Sequence, residues 1–276
     1  MYKRFSFNNI DFSIIKPILL FGLPFLPAAL FSMILESADR FIISYMLNDH
    51  FVGIYSAGYK LGIFGLLVVM AFNMGWTPYF LQYGKEKNAH KIFSAIQTFF
   101  LGFLGFIGIL LTIIVPLIVD IEILGYRLIG PNFLDGLDIL PVILISYYFF
   151  ALYVLLLPKI YISEKTFIIP IIRGIGAFSN ITLNFILIPF YGIMGAAFAT
   201  LGAFIIMFVS IFVATNKIEH SDYNYLGWIF PLAMWCFILF FDNYILFVFV
   251  TLIYPIAWYN MILNVYEKHK IKNIFI

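Results

Sequence analysis

The sequence predicts an all-α polytopic membrane protein with about eight transmembrane helices. Of its 276 residues, 63% are hydrophobic and 11% are charged, whereas soluble domains carry about 25% charged residues. The mean hydropathy is +1.02, so the chain has too few charged side chains to cover a soluble fold. The apolar runs are continuous, unlike barrel strands, which alternate in polarity over about 10 residues.

Eight apolar segments follow one another, each near or above the roughly 20 residues that a helix needs to cross a bilayer. They cover residues 17–47, 52–83, 92–119, 139–162, 167–189, 193–214, 226–241 and 245–265. The first is too long for the core of a cleavable signal peptide, so we expect it to remain in the mature protein. Pro24 and Pro27 predict a kink within it.

The charges between these segments predict an orientation with both termini in the cytoplasm. This placement leaves Arg127 in an outer loop, beside acidic residues such as Asp135 and Asp138. It puts the following cations on the inner side: Lys3, Arg4, Lys16, Lys85, Lys87, Lys91, Lys159, Lys165, Lys217, Lys268, Lys270 and Lys272. The bias towards the inner side also favours an even number of spans.

Five ionisable residues fall inside predicted spans: Glu36, Asp39, Arg40, Lys60 and Arg173. A cation at mid-membrane costs about 2.5–3.5 kcal/mol on insertion scales, so each is expected to meet a partner or water. Glu36 and Arg40 share a helical face because they are four residues apart. Two interpretations stay open. The residues form an ion-pair network that joins the first two spans, or they line a cavity for an anionic substrate.

Arg173 begins a polar stripe in the fifth span that continues through Ala177, Asn180 and Asn184 at helical spacing. Such a stripe faces either a water-filled lumen or a neighbouring helix that its amides bind. Three cations against two acids leave one positive charge unpaired, which favours the cavity.

Small residues predict close contacts between helices. Gly58 and Gly62 lie four residues apart in the second span, and Gly102, Gly105 and Gly108 form a narrow patch on the third. The sixth span has the same kind of spacing at Gly195, Ala199 and Ala203.

Motifs of soluble enzymes are absent from the sequence. It contains no glycine loop ending in Gly-Lys-Ser/Thr, no His-Glu-x-x-His and no Gly-x-Ser-x-Gly. Cys236 is the single cysteine, and the four histidines (His50, His90, His220 and His269) are scattered. We therefore expect a protein that is not an enzyme, with no metal site, no cofactor and no nucleic-acid partner.

Four stretches of the sequence resemble a known family. Residues 38–43 (ADRFII) and 52–61 (VGIYSAGYKL) resemble the seventh and eighth helices of polysaccharide-biosynthesis flippases. These are the Wzx-type exporters of lipid-linked O-antigen and capsule units, in the superfamily that they share with MATE multidrug exporters. Residues 184–200 (NFILIPFYGIMGAAFAT) resemble the turn between the eleventh and twelfth helices of the family, and residues 22–24 (GLP) are a weaker likeness.

The resemblance implies one MATE-like six-helix bundle plus two extra helices. Family members have two such bundles, often followed by two further helices. Residues 1–217 are similar to the second, C-terminal bundle, and residues 218–276 to the two additional helices with a basic cytoplasmic tail. The first bundle has no counterpart here, so the resemblance implies a homodimer or a separate first-bundle partner.

The implied function is that of a flippase in the bacterial plasma membrane. Such a flippase moves undecaprenyl-diphosphate-linked oligosaccharide across the bilayer for O-antigen, capsule or exopolysaccharide synthesis. Its other partners are the membrane lipids that surround the protein. The implied substrate-binding residues are Arg40, Lys60, Arg173, Asn180 and Asn184. Glu36 or Asp39 is the implied site of a coupling proton or sodium ion.

Two other functions remain open. A MATE-like multidrug exporter has the same fold but a more acidic and aromatic lumen. A membrane-embedded polysaccharide polymerase or ligase needs a large outer loop with catalytic Arg or His, whereas the longest outer loop here, residues 120–138, contains no His.

Overall fold

The computed structural model describes residues 12–119, 121–123, 126–127, 130–218, 223–240 and 244–263. The helices are α1 (Phe12–Gly22), α2 (Phe25–Met46), α3 (Asp49–Tyr83), α4 (Ala89–Val119), α5 (Leu140–Ile162), α6 (Ile168–Ile218), α7 (Tyr225–Phe240) and α8 (Tyr244–Ala257). A π-helical turn, Trp258–Ile262, continues α8. Between α4 and α5 lie the antiparallel strands β1 (Glu122–Ile123) and β2 (Tyr126–Arg127) and a 3₁₀ helix, Pro131–Ile139.

The prediction of an all-α polytopic membrane protein is confirmed. Five helical stretches are long and apolar enough to cross a membrane: Ile15–Met46, Asp49–Tyr83, Ala89–Val119, Pro131–Ile162 and Ile168–Ile218. The apolar helices Tyr225–Phe240 and Phe247–Asn260 are shorter. The strand pair and the 3₁₀ helix were not predicted, and they occupy part of the segment that the sequence suggested as a long outer loop.

The last long helix, α6, contains the fifth and sixth predicted spans. Its 51 residues would extend about 77 Å if straight, more than twice the roughly 30 Å of a hydrocarbon core. The helix breaks at Gly192, where φ is 56° and ψ is −135°. A positive φ strains residues with a Cβ, so glycine is the residue suited to this sharp turn. The two halves of α6 therefore count as two spans.

The first span breaks as its prolines predict. α1 ends at Gly22 and α2 begins at Phe25, with Pro24 at the cap position of α2. The C-terminal end of α1 is bound to the loop between α5 and α6, because the Thr166 hydroxyl donates to the Phe21 carbonyl at 3.0 Å. α1 thus lies beside the loop between α5 and α6.

The two ends of the bundle differ in charge. One end, the lysine side, carries the turns after α3 and α5 and the end of α6, with Lys16, Lys85, Lys87, Lys91, Lys159, Lys165 and Lys217 near them. The other end, the hairpin side, carries the α2–α3 turn, β1, β2 and the 3₁₀ helix. Five of the cations assigned to the inner side, Lys3, Arg4, Lys268, Lys270 and Lys272, lie outside the described residues, as do both termini.

The helix α5 forms the centre of the bundle. Of its 23 side chains, 16 are buried, including Tyr147, Tyr148 and Tyr153, and none is exposed. The Tyr147 hydroxyl donates to Tyr59 of α3 at 3.0 Å, and the Tyr148 hydroxyl donates to the Trp228 carbonyl of α7 at 2.8 Å. The other helices pack around this apolar axis.

The predicted small-residue contacts of α3 are confirmed. A Cβ atom at Gly58 would overlap the carbonyl of Gly136, and one at Gly62 would meet Ile143 at 2.5 Å. The 3₁₀ helix and α5 therefore approach the α3 backbone as closely as glycine allows.

The glycine patch of α4 is the surface on which α7 and α8 pack. A Cβ at Gly108 would overlap the indole of Trp235, one at Gly105 would overlap Pro231, and one at Gly102 would overlap Trp258. The Trp235 Nε1 donates to the Thr112 hydroxyl at 3.1 Å, and the Tyr254 hydroxyl donates to the Gly102 carbonyl at 2.8 Å. The large side chains of the neighbouring helices thus occupy the space that the three glycines, which have no side chain, leave open. We call this contact the glycine seam (Gly102, Gly105, Gly108).

Substitution in the glycine seam is expected to destabilise the protein. Gly108→Ala forces the Trp235 indole to move, and overpacking of this kind costs about 1–3 kcal/mol. Gly75→Ala is the matched control, because no atom lies within 4 Å of a Cβ at that position of α3. Thermal unfolding in detergent should show a lower Tm for Gly108→Ala alone. Equal Tm values for the two variants would contradict the tight seam.

Candidate functional site

Arg173 lies on the first half of α6 and is half-buried against α2 and α5. Its Nη1 donates to the Ser32 hydroxyl at 2.8 Å and to the Ala28 carbonyl at 3.4 Å. Its Nε donates to the Tyr153 hydroxyl at 3.2 Å, and the guanidinium carbon lies 5.9 Å from the Tyr153 ring centroid. Neutral oxygen atoms and an aromatic ring thus hold this cation.

Arg40 is held in the same manner on α2. Its Nη1 donates to the Glu36 carbonyl at 2.6 Å. Its guanidinium carbon lies 4.6 Å from the Tyr59 ring centroid and 6.0 Å from that of Tyr55. A guanidinium over an aromatic face gains about 0.5–2 kcal/mol, so α3 stabilises the cation through its aromatic residues.

The two arginines lie along one face of α2. Ser32, Glu36 and Arg40 are spaced by four residues and therefore share this face, and Arg173 meets it at Ser32. The eight residues from Ser32 to Arg40 span about 12 Å of helix. We call this set the arginine face (Ser32, Glu36, Arg40, Arg173). The Glu36 side chain is exposed, and the other three are half-buried.

Charge on the arginine face is not neutralised within the described residues. No ion pair joins Arg40 or Arg173 to a carboxylate in that part of the chain, since their bonds go to carbonyl and hydroxyl oxygens. The predicted ion-pair network of α2 and α3 is thus not what the structure forms. A small cleft of about 30 Å³ opens beside Ser32 and Glu36. It has room for about two water molecules, and neither Arg40 nor Arg173 lines it.

Asp39, in contrast, is completely buried, with 0% of its surface exposed. Its Oδ2 accepts from the Tyr55 hydroxyl at 2.7 Å and from the Thr200 hydroxyl at 2.8 Å. Its Oδ1 accepts from the Asn184 amide at 2.9 Å, and Asn184 also donates to Asn180 Oδ1 at 3.1 Å. We call these residues the Asp39 cluster (Asp39, Tyr55, Asn180, Asn184, Thr200). It joins α2, α3 and both halves of α6.

In the part of the chain that the structure describes, the Asp39 cluster leaves one acceptor, Asn184 Oδ1, and one donor, Asn180 Nδ2, buried without a hydrogen-bond partner. Buried polar atoms of this kind are rare and need an explanation. The carboxylate, the two amide oxygens and the Thr200 hydroxyl together present oxygen ligands from α2 and both halves of α6, the ligand type that hard cations prefer. Among the described residues no group of three or more His, Cys, Asp or Glu is arranged to hold a metal ion.

The structure separates the predicted site residues into two places. Arg40, Arg173 and Glu36 share the arginine face, whereas Asp39, Asn180 and Asn184 share the buried cluster. The polar stripe of α6 thus faces α2 inside the bundle, and the Asn184 amide binds Asp39. Lys60 is exposed on α3, and its neighbour Tyr59 makes the contact with Arg40. The substrate and ion roles of all these residues stay predictions.

Sequence reasoning missed Ser32, Tyr153, Tyr55 and Thr200. Ser32 had a signal, because it precedes Glu36 by four residues on the same helical face. Tyr55 and Thr200 lie inside the stretches that carry the family resemblance, yet only the fold brings them to Asp39. No pattern in the apolar sequence of α5 indicated that Tyr153 contacts Arg173.

Comparison with known proteins gives one match. The chain matches no curated protein and no solved structure. The match to the family covers residues 1–84, which include α1, α2 and α3. The resemblance is therefore confirmed over this part of the 276 residues: residues 1–84, which contain Glu36, Asp39, Arg40 and Lys60, match the sequence model of the family described as "Polysaccharide biosynthesis protein".

Proposed function

We propose that this chain is part of a membrane transporter that moves undecaprenyl-diphosphate-linked oligosaccharide across a bilayer. The observation that carries the proposal is the arginine face. Arg40 and Arg173 are half-buried inside spans, and neutral groups hold both. Positive charge that forms no ion pair among the described residues, placed where lipid would make it costly, suits an anion that crosses the membrane. The match of residues 1–84 to polysaccharide biosynthesis proteins supports the same class of substrate.

The chemistry of a diphosphate fits the two guanidinium groups. Guanidinium binds phosphate oxygens through paired, charge-assisted hydrogen bonds. The polyprenyl chain stays in the lipid while the sugar and diphosphate pass along the arginine face. Arg173 contacts Ser32 of α2, and the helix rises by about 12 Å from Ser32 to Arg40, so we propose that the diphosphate contacts the two cations in succession. Lys60, exposed on α3, is proposed to meet the same headgroup.

Neutralising either arginine is expected to slow transport without removing the protein. Arg40→Gln and Arg173→Gln each remove charge-assisted hydrogen bonds worth about 1.5–3 kcal/mol, which predicts a tenfold to hundredfold lower rate. The assay follows a fluorescent undecaprenyl-diphosphate disaccharide in vesicles, with membrane abundance measured by immunoblot. Lys165→Gln, at an exposed loop position, is the control. Wild-type rates for Arg40→Gln, Lys60→Gln and Arg173→Gln would end the anionic-substrate proposal.

We further propose that Asp39, and not Glu36, holds the coupling cation. Asp39 is buried and accepts hydrogen bonds from α3 and from both halves of α6, whereas Glu36 is exposed on the arginine face. A cation in the Asp39 cluster would bind Asn184 Oδ1, which has no donor among the described residues. Movement of either half of α6 would then change the site, and this links cation binding to the shape of the bundle.

The proposed location is the bacterial plasma membrane, with the lysine side in the cytoplasm. Asn88→Cys and Glu122→Cys, in a Cys236→Ala background, place single thiols at exposed positions on the lysine side and the hairpin side. A membrane-impermeant thiol reagent on intact cells is expected to label position 122 and not position 88. The reverse pattern would overturn the orientation.

A further inference from the structure

A groove opens on the lysine side between α1 and the ends of α3 and α5. Its volume is about 410 Å³, well above that of an engineered cavity of about 150 Å³ that binds benzene. No residue of the arginine face lines it. We call it the α1 groove, and its apolar wall consists of Pro17, Ile18, Phe21, Leu81, Tyr161 and Ile162.

The apolar wall of the α1 groove is accessible from outside the bundle. Ile18 has 64% of its surface exposed and Leu81 has 51%. Both residues belong to helical stretches that are long and apolar enough to cross a membrane, Ile15–Met46 and Asp49–Tyr83. The exposed apolar wall therefore suits the hydrocarbon chain of a lipid.

Two opposite charges lie at the rim of the groove. Lys85 follows Gly84 at the end of α3, and Glu164 follows Ile162 at the end of α5. The two helix ends touch, because a Cβ atom at Gly84 would overlap the Ile162 side chain. Lys85 and Glu164 both line the groove and are exposed. Neither of them forms an ion pair in the described part of the chain.

Glu164 occupies a position that is unfavourable for both its backbone and its charge. The Glu164 N–H donates to the Tyr161 carbonyl and the Lys165 N–H donates to the Ile160 carbonyl, each at 3.0 Å. This is the Schellman pattern, in which glycine is usual at the residue with positive φ. Glu164 has φ of 57°, and no other non-glycine residue that the structure describes has a positive φ. Its carboxylate also lies beside the negative end of the α5 dipole.

A strained residue of this kind points to a role for its side chain. Glycine at position 164 would relieve the backbone and remove the unfavourable charge, yet the chain has a carboxylate there, beside an apolar groove and a lysine. A ligand that brings its own cation to Glu164 and its own anion to Lys85 would compensate both charges.

We propose that the α1 groove binds phosphatidylethanolamine. An acyl chain lies along the apolar wall, the Lys85 ammonium donates to the phosphate, and the primary ammonium of the lipid donates to Glu164. Phosphatidylglycerol has no cation for Glu164, and the quaternary ammonium of phosphatidylcholine has no N–H to donate. The neighbouring charges Lys16, Glu86 and Lys165 do not line the groove. Occupation of the groove does not depend on transport.

The test measures lipid binding to the full-length chain in detergent. Phosphatidylethanolamine, phosphatidylcholine and phosphatidylglycerol with identical acyl chains are titrated, and native mass spectrometry counts the retained lipids and gives Kd. Glu164→Gly removes the carboxylate, and Lys85→Gln removes the cation. Glu86→Gln and Lys165→Gln are the matched controls, because they remove the same kinds of charge one residue further along the chain.

We expect phosphatidylethanolamine to bind about tenfold or more tightly than either of the other lipids. Glu164→Gly should abolish its advantage over phosphatidylcholine, while the Tm measured without added lipid should be at least that of the wild type. Lys85→Gln should weaken phosphatidylethanolamine binding by about tenfold, and the two controls should keep the wild-type Kd. If Glu164→Gly fails to accumulate, Glu164→Gln gives the same comparison of the two lipids.

Three results would overturn the proposal. Equal Kd values for phosphatidylethanolamine and phosphatidylcholine would show that Glu164 does not recognise the headgroup. Tighter binding of phosphatidylglycerol would show that the lysines of this side attract anionic lipid in general. Equal losses in Glu86→Gln or Lys165→Gln would show that the effect does not belong to the groove.

Discussion

Asp39→Leu is expected to lower the free energy of unfolding by about 2–5 kcal/mol. The substitution leaves the Tyr55 hydroxyl buried without an acceptor and takes one acceptor each from Thr200 and Asn184. An unsatisfied buried donor costs about 1–3 kcal/mol. Thr200 and Asn184 keep weaker alternatives at Ala196 and Asn180, which limits the loss. Unfolding in detergent, followed by fluorescence and by size-exclusion chromatography, measures the effect.

Glu36→Leu provides the matched control for Asp39→Leu. It removes the same charge from the same helix, three residues earlier, but Glu36 is exposed, so stability should change little. A second control adds Tyr55→Phe to Asp39→Leu, because replacing both partners of a buried bond by apolar groups recovers part of the loss. If Glu36→Leu destabilises the protein as much as Asp39→Leu, the Asp39 cluster is not the stabilising element described here.

The arginine face is expected to be covered by a second helical bundle, without which transport is lost. Glu36, Arg40 and Arg173 would otherwise meet lipid at a cost of several kcal/mol, and alternating access needs a second bundle to move against. Either a second copy of this chain or another polypeptide can supply it. Met33→Cys, three residues before Glu36 and with 68% of its surface exposed, is expected to crosslink to that bundle in membranes.

Leu252→Cys is the control for this crosslink, since Leu252 of α8 is also 68% exposed. Both variants carry Cys236→Ala, and a thiol crosslinker is added to native membranes. The mass of the product distinguishes a homodimer from a complex with another protein. A monomer in mild detergent that transports lipid-linked sugar after reconstitution would refute the need for a second bundle. Equal crosslinking at the two positions would show that the contact is nonspecific.

The sequence predicted the spans well because lipid imposes one simple requirement on each of them. Continuous apolar runs correspond to α2 through α8, of which α7 and α8 are the shorter helices, and Pro24 marks the break before α2. The glycine patch of α4 was likewise predicted as a close contact, since small residues have few other uses at helical spacing. The strand pair β1–β2 and the 3₁₀ helix had no such signal, because they lie between spans.

The partners of the charged residues were not predictable in the same way. Asp39 was one of the acids in the ion-pair interpretation, yet it binds Thr200, a residue 161 positions away. Arg173 was expected to face a lumen, and it is held by Ser32 and Tyr153. Periodicity places a side chain on a face of its own helix, but it does not identify the helix that the face meets. Only the packing of α6 around α5 decides those contacts.

The buried position of α5 has a consequence for how the chain is assembled in the membrane. Since synthesis runs from the N-terminus, α5 reaches the membrane before α6, so the surface that α6 later covers first meets lipid acyl chains. In the folded protein the same surface meets protein on nearly every side. Its side chains are therefore compatible with two environments in succession: lipid during insertion, and the neighbouring helices after folding. Polar replacements on α5 should impede insertion, whereas apolar replacements of a different volume should insert normally and then fail to assemble.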